Sequence, residues 1–176
     1  MGNYVSTIED PNTNTNIYRK YGWKPSLPDF RDNYLDFTLT KQNKLRHDLQ
    51  DKCPKIYNQG KLGSCTANAI AFAYEFDQMK QLENKDEIFI PSRLFIYYNE
   101  RDMEGTTGID SGAAIRDGIK SINKKGVCPE TLWPYDISTF TEKPNNECYK
   151  IASKHKAVKY ARVKQTIEQL RDAITA

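Results

Sequence analysis

Histidine is scarce in this sequence: two residues among 176, His47 and His155, which leaves two candidates for any imidazole chemistry. Cysteine is sparse as well. The four (Cys53, Cys65, Cys128 and Cys148) are too few for a disulfide scaffold. Cys53, Cys128 and Cys148 lack metal-ligand spacing and read as reduced thiols, with a Cys128–Cys148 bridge as the alternative. No metal or cofactor is expected. No stretch approaches the roughly 20 apolar residues of a membrane-spanning helix. The N-terminus has no apolar signal-peptide core, and no Asn-x-Ser/Thr sequon occurs. These absences point to an intracellular, cytoplasmic setting. Charge of one sign is also lacking: the net charge of +3 is too weak to imply nucleic acid. The basic run from Lys150 to Lys164 is interrupted by Ala152, Ala157 and Val158 and reads as a solvated face.

What the sequence has is enough for a modest core. Hydrophobic residues make up 38%, charged residues 28%, and there are eleven Tyr and seven Phe. This length suits one domain or one lobe of a larger one. The stretch Gln59-Gly60-Lys61-Leu62-Gly63-Ser64-Cys65 reads as a glycine-punctuated loop entering a helix. Ser64 stands at the N-cap position. Ala69, Phe72, Ala73, Phe76 and Met79 recur at helical spacing and predict the apolar face of a helix over 64–82. Cys65 is then a first-turn residue at a helix end whose unpaired N–H groups favour thiolate over thiol. Gln59 can return an amide donor to the same point. A thiolate, a side-chain amide and a backbone N–H form a nucleophile beside an oxyanion hole. A lone cysteine is also commonly a small buried hydrophobe, and that reading stays open on chemistry alone.

Q-G-x-x-G-S-C at the head of an Ala-rich helix resembles the active-site loop of the papain-like (cathepsin-type, C1) cysteine peptidases. Leu27-Pro28-Asp29-Phe30-Arg31 resembles the entry segment of their mature form, and Trp133-Pro134-Tyr135 their Y-P-Y. The resemblance implies an α+β fold, mainly its helical left lobe, with the central helix starting at Cys65. It implies Cys65 as nucleophile, Gln59 as oxyanion donor, and Gly63, Ser64, Ser111 and Gly112 as substrate-binding residues, acting on a peptide or protein substrate. Secreted members carry a Cys three positions before the nucleophile. Here Leu62 stands there, so that bridge cannot form. Thr66 follows the nucleophile where the family usually has Trp.

Taken in order, residues 1–26 read as an extended leader and 27–176 as the N-terminal part of a papain-like peptidase domain. The leader resembles that of the short-leader members of the family. Met1-Gly2-Asn3-Tyr4-Val5-Ser6 fits the N-myristoylation pattern, and an acylated Gly2 would give weak, reversible membrane association. Residues 27–37 read as extended, with Phe30, Tyr34 and Phe37 as apolar anchors. Ser92 caps a second helix ending near Glu104-Gly105. Ile115, Ile119 and Ile122 mark a third, stopped by Gly126. Asp110 or Ser111 is read either as its cap or as part of the substrate loop. Residues 138–148 read as a mobile loop and Lys159–Val163 as a strand. Thr166-x-x-Gln169 is a capping box opening a last helix lined by Ile167, Leu170 and Ile174.

The family's base and its orienting Asn lie roughly 130–150 residues beyond the cysteine, past Ala176. His47 precedes the site, and His155 is too near it in sequence. The resemblance therefore implies a missing right lobe. It also implies a cysteine peptidase inactive as this chain and prone to association through uncovered apolar surface. A non-catalytic peptide-binding or interaction protein is the alternative, and a membrane-tethered adaptor a third reading.

Overall fold

In the computed structural model, which describes residues 4–9, 16–35 and 48–175, the chain divides into two units. One combines Met1–Ser26 with Pro54–Ala157, the other Leu27–Cys53 with Val158–Ala176. Gly2, Phe37 and His47 lie outside the described residues.

The larger unit is built on helices α1 (Cys65–Gln81), α2 (Arg93–Glu104) and α3 (Ile115–Lys124). Local signals set α2: Ser92 Oγ accepts from Phe95 N at 3.1 Å, and Gly105 closes the helix at φ 69°. Every residue from Leu94 to Arg101 is buried, so α2 rather than α1 is the deepest element. Burial of a side chain such as Phe95 or Leu94 contributes about 1.5–3 kcal/mol. Among its buried polar members, Asn99 Nδ2 donates to the Phe95 carbonyl at 2.8 Å. Arg101 donates to the carbonyls of Tyr97, Thr107, Ile109 and Phe140.

The face that α1 buries differs from the expected one. Ala67, Ile70, Ala71 and Gln78 are buried, Ala69 and Ala73 are exposed, and Phe72, Phe76 and Met79 are half-buried. Ala67 and Ala71 are small enough to share one cluster with Leu94, Ile96 and Tyr97 of α2, so close approach, not side-chain hydropathy, selects the buried stripe. Gln78 is accepted inside because its amide exchanges two bonds with the Phe89 backbone. Ser64 precedes α1 but does not cap it: its side chain makes no cap bond. Nor does Asp110 or Ser111 cap α3. Ala114, the last residue of the short strand β4 (Ala113–Ala114), holds that position. Gly118 lets α3 approach, since a Cβ there would lie 2.3 Å from Ile70 Cδ1.

Strands β1 (Tyr4–Glu9) and β2 (Asn16–Tyr21) pair antiparallel, Tyr4 opposite Tyr21, and β3 (Trp23–Lys24) pairs parallel with β4. Residues 138–148 hold the end of a short 3₁₀ turn and the start of α4 (Asn146–Ala152). Asn145 caps α4 through Cys148 N at 3.0 Å. Composition hid this because Asn and Pro serve caps as readily as loops. Phe95, Cys128, Cys148 and Ala152 form a second cluster, and both thiols are free. Burial pushes both thiols up from their ordinary value.

In the smaller unit, Asp29 binds the Arg31 guanidinium and its carbonyl accepts from Asp32 N. In this tight turn Phe30, expected as an anchor, is 99% exposed. The expected strand over 159–163 reduces to one parallel bridge between Tyr34 and Arg162. The last helix, α5 (Ile167–Thr175), starts where Gln169 N donates to Thr166 Oγ1 at 3.3 Å. Its apolar residues Ile167, Leu170 and Ile174 are exposed.

Candidate active site

The loop from Gln59 to Ser64 is shaped by short-range bonds. Gly60 takes φ 62°, a conformation that glycine adopts without penalty, and its N–H donates to Asn58 Oδ1 at 3.0 Å. Gln59 Nε2 donates to the Leu62 carbonyl at 3.0 Å, fixing the plane of the amide, and Leu62 is buried. Cys65 follows, half-buried, as the first residue of α1. The loop is clamped from beneath by a directed chain of hydrogen bonds. Asn68 Nδ2 donates to Ser64 Oγ at 3.0 Å, Ser64 Oγ lies 2.6 Å from the Tyr135 hydroxyl, and that hydroxyl donates to the Gln59 carbonyl at 2.9 Å. With Tyr135 donating to Gln59, Ser64 must donate to Tyr135. Arg93 closes the chain: it donates to Asn68 Oδ1 and the Asn58 carbonyl, pairs with Glu130 at 2.6 Å, and stacks 3.9 Å from the Tyr135 ring centroid.

A second loop, 105–112, lies beside the first. Gly63 N donates to both oxygens of Asp110, at 3.1 and 3.2 Å. The Tyr97 hydroxyl donates to Asp110 Oδ1 and accepts from Gly112 N at 3.1 Å. Ser111 Oγ is turned inward, bonded to Thr106 Oγ1 and to the Gly112 carbonyl. Gly22 passes between the two loops: its carbonyl accepts from Ala113 N at 2.8 Å. A Cβ on Gly22 would lie 2.0 Å from the Gly63 carbonyl oxygen, and one on Gly112, at φ 68°, 1.8 Å from the Gly22 oxygen.

No protein-family model matches the sequence. An uncharacterized peptidase C1-like protein of Acanthamoeba polyphaga mimivirus is 46% identical over 165 residues, covering 84% of this chain and 52% of that protein. Xylellain, a cysteine protease from Xylella fastidiosa, has a solved structure that superposes with a TM-score of 0.70 at 39% identity. That match covers 87% of this chain and 62% of xylellain. The chain has the papain-like cysteine peptidase fold. Digestive procathepsin L 3 of Tenebrio molitor shares the fold at 15% identity, TM-score 0.62, over 82% of this chain and 46% of its own. The chain thus spans about half to three fifths of the relatives it matches.

Within this papain-like frame the residues expected from sequence sit in two neighbouring loops. Gln59, Gly63 and Ser64 belong to one, which leads directly into Cys65 at the head of α1, and Ser111 and Gly112 to the other. Gly63 and Ser64 are buried and bonded within the protein, and the Gly112 N–H and carbonyl are likewise engaged. The N–H of this loop that meets an extended segment is that of Ala113. His155 packs edge-on to Phe89, whose backbone is bonded to Gln78. Gln78 is thirteen residues past Cys65, about 20 Å along the helix, so His155 stays remote from the thiol. Burial, then Lys154, holds His155 below its ordinary value.

Sequence reasoning missed Tyr97, Asn68 and Arg93, and saw Asp110 only as a cap or loop residue. It also missed Glu100, completely buried beneath the start of α1, which accepts from Thr66 Oγ1 at 2.7 Å. Its other oxygen has no partner, and burial pushes its carboxyl up to about 8. Among the described residues no cluster could hold a metal ion, and no helix is long and apolar enough to cross a membrane.

Proposed function

We propose that this chain supplies the nucleophile half of a cysteine peptidase acting on peptide or protein substrates. The observation that carries the reading is the loop held at both ends by Tyr135, which delivers Cys65 to the first position of α1 while the Gln59 amide is fixed on the Leu62 carbonyl of the same loop. The Cys65 thiolate attacks the scissile carbonyl carbon, and the carbonyl π pair moves onto oxygen. The Gln59 amide and the Cys65 N–H receive that oxyanion. Collapse expels the amine and leaves a thioester, which water hydrolyses. The proton taken from the thiol and returned to the amine requires a base. His155 does not serve, so the base and its orienting group are assigned to the portion of the fold that the relatives have and this chain does not span.

The test is a fluorogenic dipeptide assay on the protein with the remainder of the fold supplied. Cys65→Ala abolishes turnover, and Gln59→Ala lowers kcat by about 10²–10³, the usual effect of losing one oxyanion donor. Full activity in Cys65→Ala would overturn the assignment. The pairing of β3 with β4 favours one other reading, a lobe that binds extended peptide without cleaving it. It predicts peptide binding with no turnover even in the complete fold. We also propose a cytoplasmic location and reversible membrane binding through an acylated Gly2. Mass measurement of the N-terminal peptide tests the latter.

A further inference from the structure

The nucleophile loop and the loop after α2 are joined by one side-chain pair. Asp110 receives the Gly63 N–H on both oxygens, and Tyr97 bonds Asp110 and Gly112 at once. Gly63 is two residues before Cys65, and Gly112 is the residue before the edge that pairs with β3. We propose that Asp110 and Tyr97 are positioning residues, a non-covalent clasp that holds the Cys65 turn in register with the 111–114 edge. This rests on the reading of Cys65 as nucleophile and goes beyond it by naming what holds its loop.

Four features make the clasp more than packing. The Tyr97 ring is fully buried on α2, the deepest helix, so its hydroxyl is delivered from a fixed base. Burial, then the Asp110 bond, holds that phenol far above its ordinary value, so it stays a neutral donor to the carboxylate. Arg101, also fully buried, grips the Thr107 and Ile109 carbonyls at 2.7 and 3.1 Å and presents Asp110 from the next residue. Gly63 has no side chain where a Cβ would come 2.9 Å from Asp110 Oδ1. A carboxylate suits this position because it is acceptor-only and can take two N–H contacts and an O–H together.

The experiment uses the 176-residue chain, with amide hydrogen exchange resolved at Gly63 and Gly112 and iodoacetamide labelling mapped to each cysteine. Tyr97→Phe keeps the ring and removes only the hydroxyl. We expect exchange at Gly112 to rise at least tenfold and exchange at Gly63, which Tyr97 does not bond, to rise at least threefold. Asp110→Ala raises Gly63 exchange at least tenfold and changes the Cys65 labelling rate at least threefold. Asp110→Asn, which keeps one acceptor oxygen, recovers part of both. Throughout, the buried Cys128 and Cys148 stay protected. Gly63 exchange within twofold of the parent in Tyr97→Phe would overturn the clasp. So would an unchanged Cys65 rate in Asp110→Ala, or Cys128 and Cys148 opening in step with Cys65. Failure of the peptidase reading is seen separately, as turnover surviving Cys65→Ala, and leaves these exchange rates as they are.

Discussion

The hydroxyl of Tyr135 and the Oγ of Ser64 lie 2.6 Å apart, joined across 71 residues of sequence. The pair explains why Ser64, standing where a helix cap is expected, caps nothing: its hydroxyl is spent on Tyr135, which in turn holds the Gln59 carbonyl. Tyr135→Phe keeps the ring under Arg93 and removes both bonds, leaving the buried Ser64 hydroxyl without this partner. The expected cost is about 1–3 kcal/mol in denaturant unfolding. Ser64→Ala should be coupled to it, by about 0.5–3 kcal/mol in a double-mutant cycle. Strict additivity would show that the two hydroxyls act independently.

Residues 22–24 are held by backbone, β3 pairing with β4 and Gly22 wedged between Gly63 and Gly112. Gly22→Ala places a methyl within 2.0 Å of the Gly63 oxygen. Both neighbours are backbone and cannot swing aside. The variant should release β3 while the helices remain folded. Exchange at the Ala113 N–H, which donates to the Gly22 carbonyl, should rise at least tenfold, and far-ultraviolet circular dichroism of the helices should change little. Retained protection at Ala113 would show that the strand tolerates a side chain there.

Short-range features were readable in the sequence. The Ser92 cap, the Gly105 and Gly126 stops and the Cys65 helix start each depend on neighbours within a few positions. The buried face of α1 was not, because hydropathy ranks Phe72 above Ala71, whereas helix–helix approach selects the smaller side chain. The site's supports were illegible for another reason. Asp110 meets Gly63 across 47 residues and Tyr135 meets Gln59 across 76, and nothing local distinguishes Tyr97 from an ordinary apolar helix residue. The resemblance located the loop; only the fold could show what holds it.

Cysteine accessibility gives a direct check on the packing. Cys128 and Cys148 are buried, while Cys65 and Cys53 are half-buried. Under native conditions iodoacetamide should modify Cys65 and Cys53, with Cys65 the faster. Cys128 and Cys148 should react only as the chain unfolds, and non-reducing mass analysis should find no bridge between them. Native labelling of Cys128 at the rate of Cys53 would mean that the second cluster does not form.

Glu100 makes stability depend on pH in a defined direction. Its carboxyl, ordinarily near 4.5, is pushed up to about 8, chiefly by burial, with the Thr66 bond opposing. A folded value above the unfolded one means that the native state holds the proton more tightly. The contribution is therefore fully present below about pH 4.5, is lost progressively as pH rises to about 8, and changes no further above that. At about 1.36 kcal/mol per unit, the loss is on the order of 5 kcal/mol. Glu100→Gln keeps the size and the oxygen that accepts from Thr66 but cannot ionise. We expect the variant to match the parent near pH 4.5, to exceed it increasingly from pH 5 to 8, and to keep a constant advantage beyond. Chemical denaturation at pH 4.5, 6, 7, 8 and 9 measures the difference. Parallel stability profiles for the two proteins would show that Glu100 titrates alike in the folded and unfolded chain, and that the buried carboxyl beneath Thr66 carries no proton of its own.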